Sequence, residues 1–116
     1  GVESIGLGGV AYPVRAPNTK RARFIRRVLA EYERARLEAG DNGPKQIDLL
    51  ESMIDTCLPR FSEEIERDWE RIEETVTDAE RLKAIQVVGE AVFVAFRTLA
   101  GAATPVPNRE ARRKKK

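Results

Sequence analysis

The chain has 116 residues, 21 Lys plus Arg against 19 Asp plus Glu, no histidine and one cysteine. That length predicts one domain with a small core and excludes a large enzyme. The missing histidine removes His-based triads and His zinc sites, and Cys57 alone closes neither an internal disulfide nor a thiolate metal site, so no cofactor and no catalytic residue is expected.

In chain order, the first 17 residues carry Gly1, Gly6, Gly8, Gly9, Pro13 and Pro17, with Ile5, Leu7, Val10, Tyr12 and Val14 between them. Proline fixes its own φ and biases the preceding residue toward the β region. The segment therefore reads as a short extended or β N-terminal arm, which could pair as a hairpin or reach a neighbouring subunit. Asn18 or Thr19 caps a first helix to about Ala39, with Phe24, Ile25, Val28, Leu29 and Tyr32 at spacings of three and four. Gly40 stops it, Gly40-Asp41-Asn42-Gly43 is turn chemistry, and Pro44 suits the start of a second helix. That helix is expected to bury Ile47, Leu50, Met53 or Ile54, and Cys57 or Leu58, and to end at Pro59.

Ser62 caps a third helix whose first turn holds Glu63 and Glu64, the sign a helix N-terminus favours. Its apolar stripe is Ile65, Trp69, Ile72 and Val76. A fourth helix opens with the capping-box spacing of Thr77 and Glu80 and runs to about Ala100. Gly101, Pro105 and Pro107 close the folded part. The expected fold is mainly α: a small bundle of about four helices over 18–100, the arm over 1–17, and a flexible, disordered, Pro-containing basic tail over 101–116. There is no internal repeat. The most apolar stretch, Ala84 to Ala100, carries Gln86, Glu90 and Arg97 and lies at the short limit for a span, so the chain is expected to be soluble.

Mapped along the chain, the near-neutral total separates into blocks. Arg15 to Arg36 holds eight basic residues against Glu31 and Glu33; Asp41 to Glu80 holds thirteen acidic against four basic; Arg109 to Lys116 holds six basic against Glu110. The basic face of one copy can meet the acidic face of the next, which steers association and sets register, and head-to-tail contacts of this kind make rings or filaments. Pairing of these charges within one chain is the alternative. Ala84 to Ala100 is apolar around most of its circumference, so helix four is either the covered centre of the bundle or part of an oligomer interface.

Candidate self-association residues are Arg23, Arg27 and Arg34 on helix one, Glu63, Glu66 and Glu70 on helix three, Trp69, and Phe93 and Phe96 on helix four. Trp69 reads as core; exposed, it would mark a binding hot spot. Carboxylate pairs such as Glu63 with Glu66, or Asp68 with Glu70, read as solvated surface. Cys57 reads as an inert buried thiol, and Gly6-Leu7-Gly8-Gly9 lacks the lysine and the Ser or Thr of a phosphate loop. The basic tail could bind phosphates, but the acidic block opposes nucleic acid and no aromatic residues are interleaved for stacking.

The chain uses 15 Arg and 6 Lys, three of those lysines being its last three residues. Lysine codons are A-rich, so Arg112, Arg113, Lys114, Lys115 and Lys116 can mark a slippery site and a translational frameshift junction.

With these features the chain resembles the tail assembly chaperones of long-tailed, siphovirus-type bacteriophages, in the short, non-frameshifted form. The resemblance rests on Val10-Ala11-Tyr12-Pro13-Val14-Arg15-Ala16-Pro17 leading into Thr19-Lys20-Arg21-Ala22-Arg23-Phe24-Ile25. It also rests on the Arg/Glu-rich helix that follows, the acidic middle helices and the lysine-ended tail. It implies a homo-oligomer that joins a few copies of a frameshifted long form and coats the tape measure protein, keeping it soluble. The long form would recruit tail tube protein. It also implies the host bacterial cytoplasm as the compartment, absence from the mature virion, and no catalytic residues. The alternatives are a small helical nucleic-acid-binding protein using helix one and the tail, or a virion head-tail adaptor.

Overall fold

The computed structural model describes residues 3–103, with side chains as far as Phe93. Strands β1 (Ser4–Leu7) and β2 (Val10–Pro13) form an antiparallel hairpin with Ile5 opposite Tyr12 and Leu7 opposite Val10. Its two-residue loop is Gly8-Gly9, with φ of 62° and 81°. Two successive positive φ angles are what a type I′ turn requires, and glycine adopts them without strain. Ile5, Leu7 and Tyr12 are buried and belong to the core. The arm thus pairs within its own chain and β1 packs on helix α4, which settles the question that the sequence leaves open.

Helix α1 (Thr19–Ala39) starts where Asn18 accepts a hydrogen bond from the Arg21 N–H and stops at Gly40, whose φ is 58°. Helix α2 (Gly43–Cys57) is capped by Asn42 and holds Pro44 in its first turn, where a missing N–H costs nothing. Pro59 sits in a single 3-10 turn, Leu58–Arg60, followed by Phe61, the largest fully buried side chain among the described residues. Helix α3 (Glu63–Thr75) is capped by Ser62. Helix α4 (Asp78–Ala103) opens with both bonds of the capping box: Thr77 N to Glu80 Oε1 at 3.0 Å and Glu80 N to Thr77 Oγ1 at 3.1 Å. No helix among the described residues is long and apolar enough to cross a membrane.

Over the described residues the molecule is therefore mainly helical, four helices and a hairpin around one core. Ile25 of α1, Met53, Ile54 and Cys57 of α2, Ile65 and Ile72 of α3, and Ala84, Ile85, Val88 and Val92 of α4 meet there. One expectation changes. Ile47 is 59% exposed rather than buried. The core stops near Tyr32 on α1 and Leu50 on α2, so the tip of the α1–α2 hairpin runs past it and leaves Leu37 and Ile47 outside. Over 78–93, α4 buries one stripe, and Leu82 and Phe93 are each 46% exposed; the side chains of 94–100, which complete the apolar stretch, lie outside the described residues. Helix α4 reaches Ala103, three residues into the tail expected over 101–116, and 104–116 lie outside the described residues.

Candidate interaction surface

Two polar assemblies position the surface. The first fastens the hairpin. Glu80 Oε1 accepts from Gly8 N at 3.0 Å while also capping α4 through Thr77 N, and Oε2 accepts from Gly9 N at 3.5 Å. The N–H groups of Thr77 and Gly8 favour the charged carboxylate and hold the Glu80 pKa below its ordinary value. Arg71 donates to Gly8 O (3.2 Å), Leu7 O (3.5 Å) and the Tyr12 hydroxyl (2.8 Å), and that hydroxyl donates to Asp68 Oδ2 (2.8 Å). Burial, then the bond to Asp68, raises the Tyr12 pKa. Hydrogen bonds from Arg67 and then Tyr12 lower that of Asp68. One turn of backbone is thereby tied to α3 and α4 together.

The second assembly is a pair of cavities of opposite charge bounded by the same helix. A cavity of about 360 Å³ between α1 and the start of α3 is lined by Lys20, Arg21, Arg27 and Arg60 against one carboxylate, Glu66. Arg21 is turned inward on its own chain, to Glu66 Oε1 at 2.8 Å and the Arg60 carbonyl at 3.2 Å. Arg60 lies over the Phe24 ring, 4.6 Å from its centroid, a cation–π contact that keeps the guanidinium at the rim. Lys20 and Arg27 make no ion pair among the described residues.

A second cavity, of about 350 Å³, is lined by Glu51, Asp55, Glu73 and Asp78 around a single cation, Arg81, with Trp69 as its aromatic wall. Arg81 reaches Asp55 at 2.8 Å, Asp78 at 3.1 Å and Glu51 at 3.7 Å. Burial works against its charge, and these carboxylates outweigh burial and raise its pKa. Glu73 makes no ion pair among the described residues.

The residues singled out from the sequence fall in several places. Arg27, Glu66 and Trp69 line the two cavities. Arg23, Arg34 and Glu70 are exposed and line neither, and Glu63 faces a separate open cleft beside Arg15 and Pro17. Trp69 is half-buried, packed on the core along one edge and open to the acidic cavity along the other. Phe93 is exposed; the Phe96 side chain and Arg112, Arg113, Lys114, Lys115 and Lys116 lie outside what is described. The basic and acidic blocks do pair in part within the chain, through Arg21–Glu66 and Arg15–Glu64.

Lys20, Arg60, Glu73 and Arg81 were not legible as site residues. A signal existed for one of them: an Arg beside Pro59 at a helix break, with Phe24 one helix away, is a candidate for a cation–π contact. Cys57 is fully buried, which pushes its thiol pKa up to about 12. No group of three or more His, Cys, Asp or Glu among the described residues could hold a metal ion. No protein-family model matches the chain, and no curated protein or solved structure is significantly similar to it.

Proposed function

We propose that the protein is a phage tail assembly chaperone that self-associates and coats the tape measure protein, keeping it soluble and helping to recruit tail tube subunits through a frameshifted long form. The observation that supports an assembly role is the gathering of opposite charges at two separate places on one small fold. Fields of that kind steer encounter and fix register between protein surfaces. The exposed Phe93, on a helix whose sequence continues Val94-Ala95-Phe96, adds apolar surface for a partner. The identity of the partner rests on the resemblance of the arm and helix one to that family. The reading assigns no catalytic role. It places the protein in the host cytoplasm during tail assembly and outside the finished particle.

Co-expression with the tape measure protein tests it. The tape measure protein should move from the insoluble to the soluble fraction and co-purify with this chain, and purified virions should lack the chain. A tape measure protein that stays insoluble, with no co-purification, overturns the reading, and presence in virions favours a head-tail adaptor. Nucleic-acid binding, favoured by the cationic cavity at Lys20, Arg27 and Arg60, predicts affinity for duplex DNA that falls steeply with salt.

A further inference from the structure

Both cavities border helix α3. Glu66 borders the basic one and Glu73 the acidic one, and these residues stand seven apart on α3, about two turns, hence on one face of the helix. Trp69 lies between them on that same face, half-buried. Their contents are near mirror images in charge: four cations against one carboxylate beside Phe24, and four carboxylates against one cation beside Trp69.

We infer that this face of α3 is where two copies of the chain pair about a two-fold axis near Trp69, the basic cavity of each copy facing the acidic cavity of the other. The inference rests on the self-association reading and adds its surface and symmetry. When both complementary cavities lie along one face, a single two-fold operation makes both contacts at once and closes the assembly. Cavities on opposite faces would instead make an open head-to-tail chain. Arg21 is held by Glu66 and Arg81 by three carboxylates, so the charge left for a partner is Arg27, with Lys20 and Arg60 beside it, in the basic cavity and Glu73 in the acidic one. Trp69 supplies the kind of large, half-exposed aromatic side chain that anchors the centre of an interface.

The test uses the full chain and the emission of Trp69, the only tryptophan, with light scattering beside it. The wild-type protein should pass from monomer to dimer as its concentration rises, with Trp69 emission moving to shorter wavelength, and added salt should reverse both. Arg27→Glu alone and Glu73→Arg alone should each weaken the dimer roughly tenfold or more, because like charges then face each other at both contacts. Both positions are exposed and unpaired, so folding measured by circular dichroism should be unchanged.

An equimolar mixture of the two variants should recover the dimer and the emission shift, since each mixed pair restores an opposite-charge contact at both cavities. Wild-type association that neither substitution weakens, or a mixture that fails to recover, places the interface elsewhere and overturns the inference while leaving self-association intact. Growth past the dimer into long chains overturns the two-fold arrangement. Loss of association on removing Asn108 to Lys116, with Arg27→Glu silent and Glu73→Arg still weakening it, would make the basic tail the occupant of the acidic cavity and overturn the inference. A wild-type chain that stays monomeric at high concentration and low salt overturns the self-association reading as well.

Discussion

Gly8→Ala is the perturbation for which the structure yields the most definite magnitude. A Cβ at Gly8 would overlap Thr75 Oγ1 and lie 3.0 Å from Arg71 Nη1 and 3.2 Å from Thr75 Cβ, on a backbone with φ of 62°. The left-handed conformation costs an alanine about 1–2 kcal/mol. Turning the Thr75 hydroxyl aside breaks its 3.0 Å bond to the Arg71 carbonyl, worth about 1 kcal/mol. The sum is roughly 2–3 kcal/mol. Releasing the hairpin would not avoid that cost. It would uncover Ile5, Leu7 and Tyr12, and burying each large apolar side chain is worth about 1.5–3 kcal/mol. Gly9→Ala is the control: φ is 81°, but nothing lies within 4 Å of the added carbon, so only the conformational cost of about 1–2 kcal/mol applies. Urea denaturation of Gly8→Ala, Gly9→Ala, Thr75→Ala and the Gly8→Ala/Thr75→Ala pair measures both parts. The pair should recover about 1 kcal/mol relative to the sum of its singles. Equal costs at Gly8 and Gly9, or strict additivity with Thr75→Ala, would refute the argument that the turn is pressed onto α3.

Three further outcomes are expected. Phe61→Ala should lower stability by about 3–5 kcal/mol, because a side chain 1% exposed leaves a cavity that the 3-10 turn cannot fill, whereas Ile47→Ala should stay within about 0.5 kcal/mol; thermal melts separate the two. Glu80 has its pKa lowered on folding, so its contribution is present above the unfolded carboxylate pKa of 4.5 and disappears as pH falls through the lower folded value. Glu80→Gln should therefore be less stable than wild type near neutrality and converge with it in acid, as urea midpoints across pH would show; a constant difference down to strong acid would count against the carboxylate's charge as the cause. Cys57, fully buried with its pKa pushed up to about 12, should resist thiol reagents in the native protein and react once urea unfolds it, and fast native labelling would show the α2 packing to be wrong.

What the sequence disclosed and what it concealed divide by range. The caps at Asn18, Asn42, Ser62 and Thr77 with Glu80 are local chemistry, three residues from side chain to N–H, and the helix boundaries followed from them closely. The docking of the hairpin depends on Arg71 and Glu80, more than sixty residues away, which no periodicity reports. Ile47 carries the spacing of a core residue, but spacing cannot say where the layer beneath a helix ends. Glu73 and Asp55 look like ordinary acidic surface until α2, α3 and α4 bring them around Arg81.

The charge blocks show the same limit. In sequence they are uniform; in space part of the basic block is already opposed by part of the acidic one. Arg15 and Arg21, flanking the start of α1, reach the first turn of α3 at Glu64 and Glu66. Such exposed pairs contribute about 0–1 kcal/mol each, too little to hold a fold that buries Leu7, Ile25, Phe61 and Val88, so their effect is to set how α1 lies against α3. The charge left over is ordered differently from the blocks. Arg23, Arg27 and Arg34 run unpaired along α1, and Glu70 and Glu73 along α3. Exposed, unpaired charge adds almost nothing to folding, and it governs what approaches the surface and in which orientation. The chain's near-zero total therefore conceals a division of labour: one part of each block orients helices within the molecule, and the remainder is free to meet another molecule.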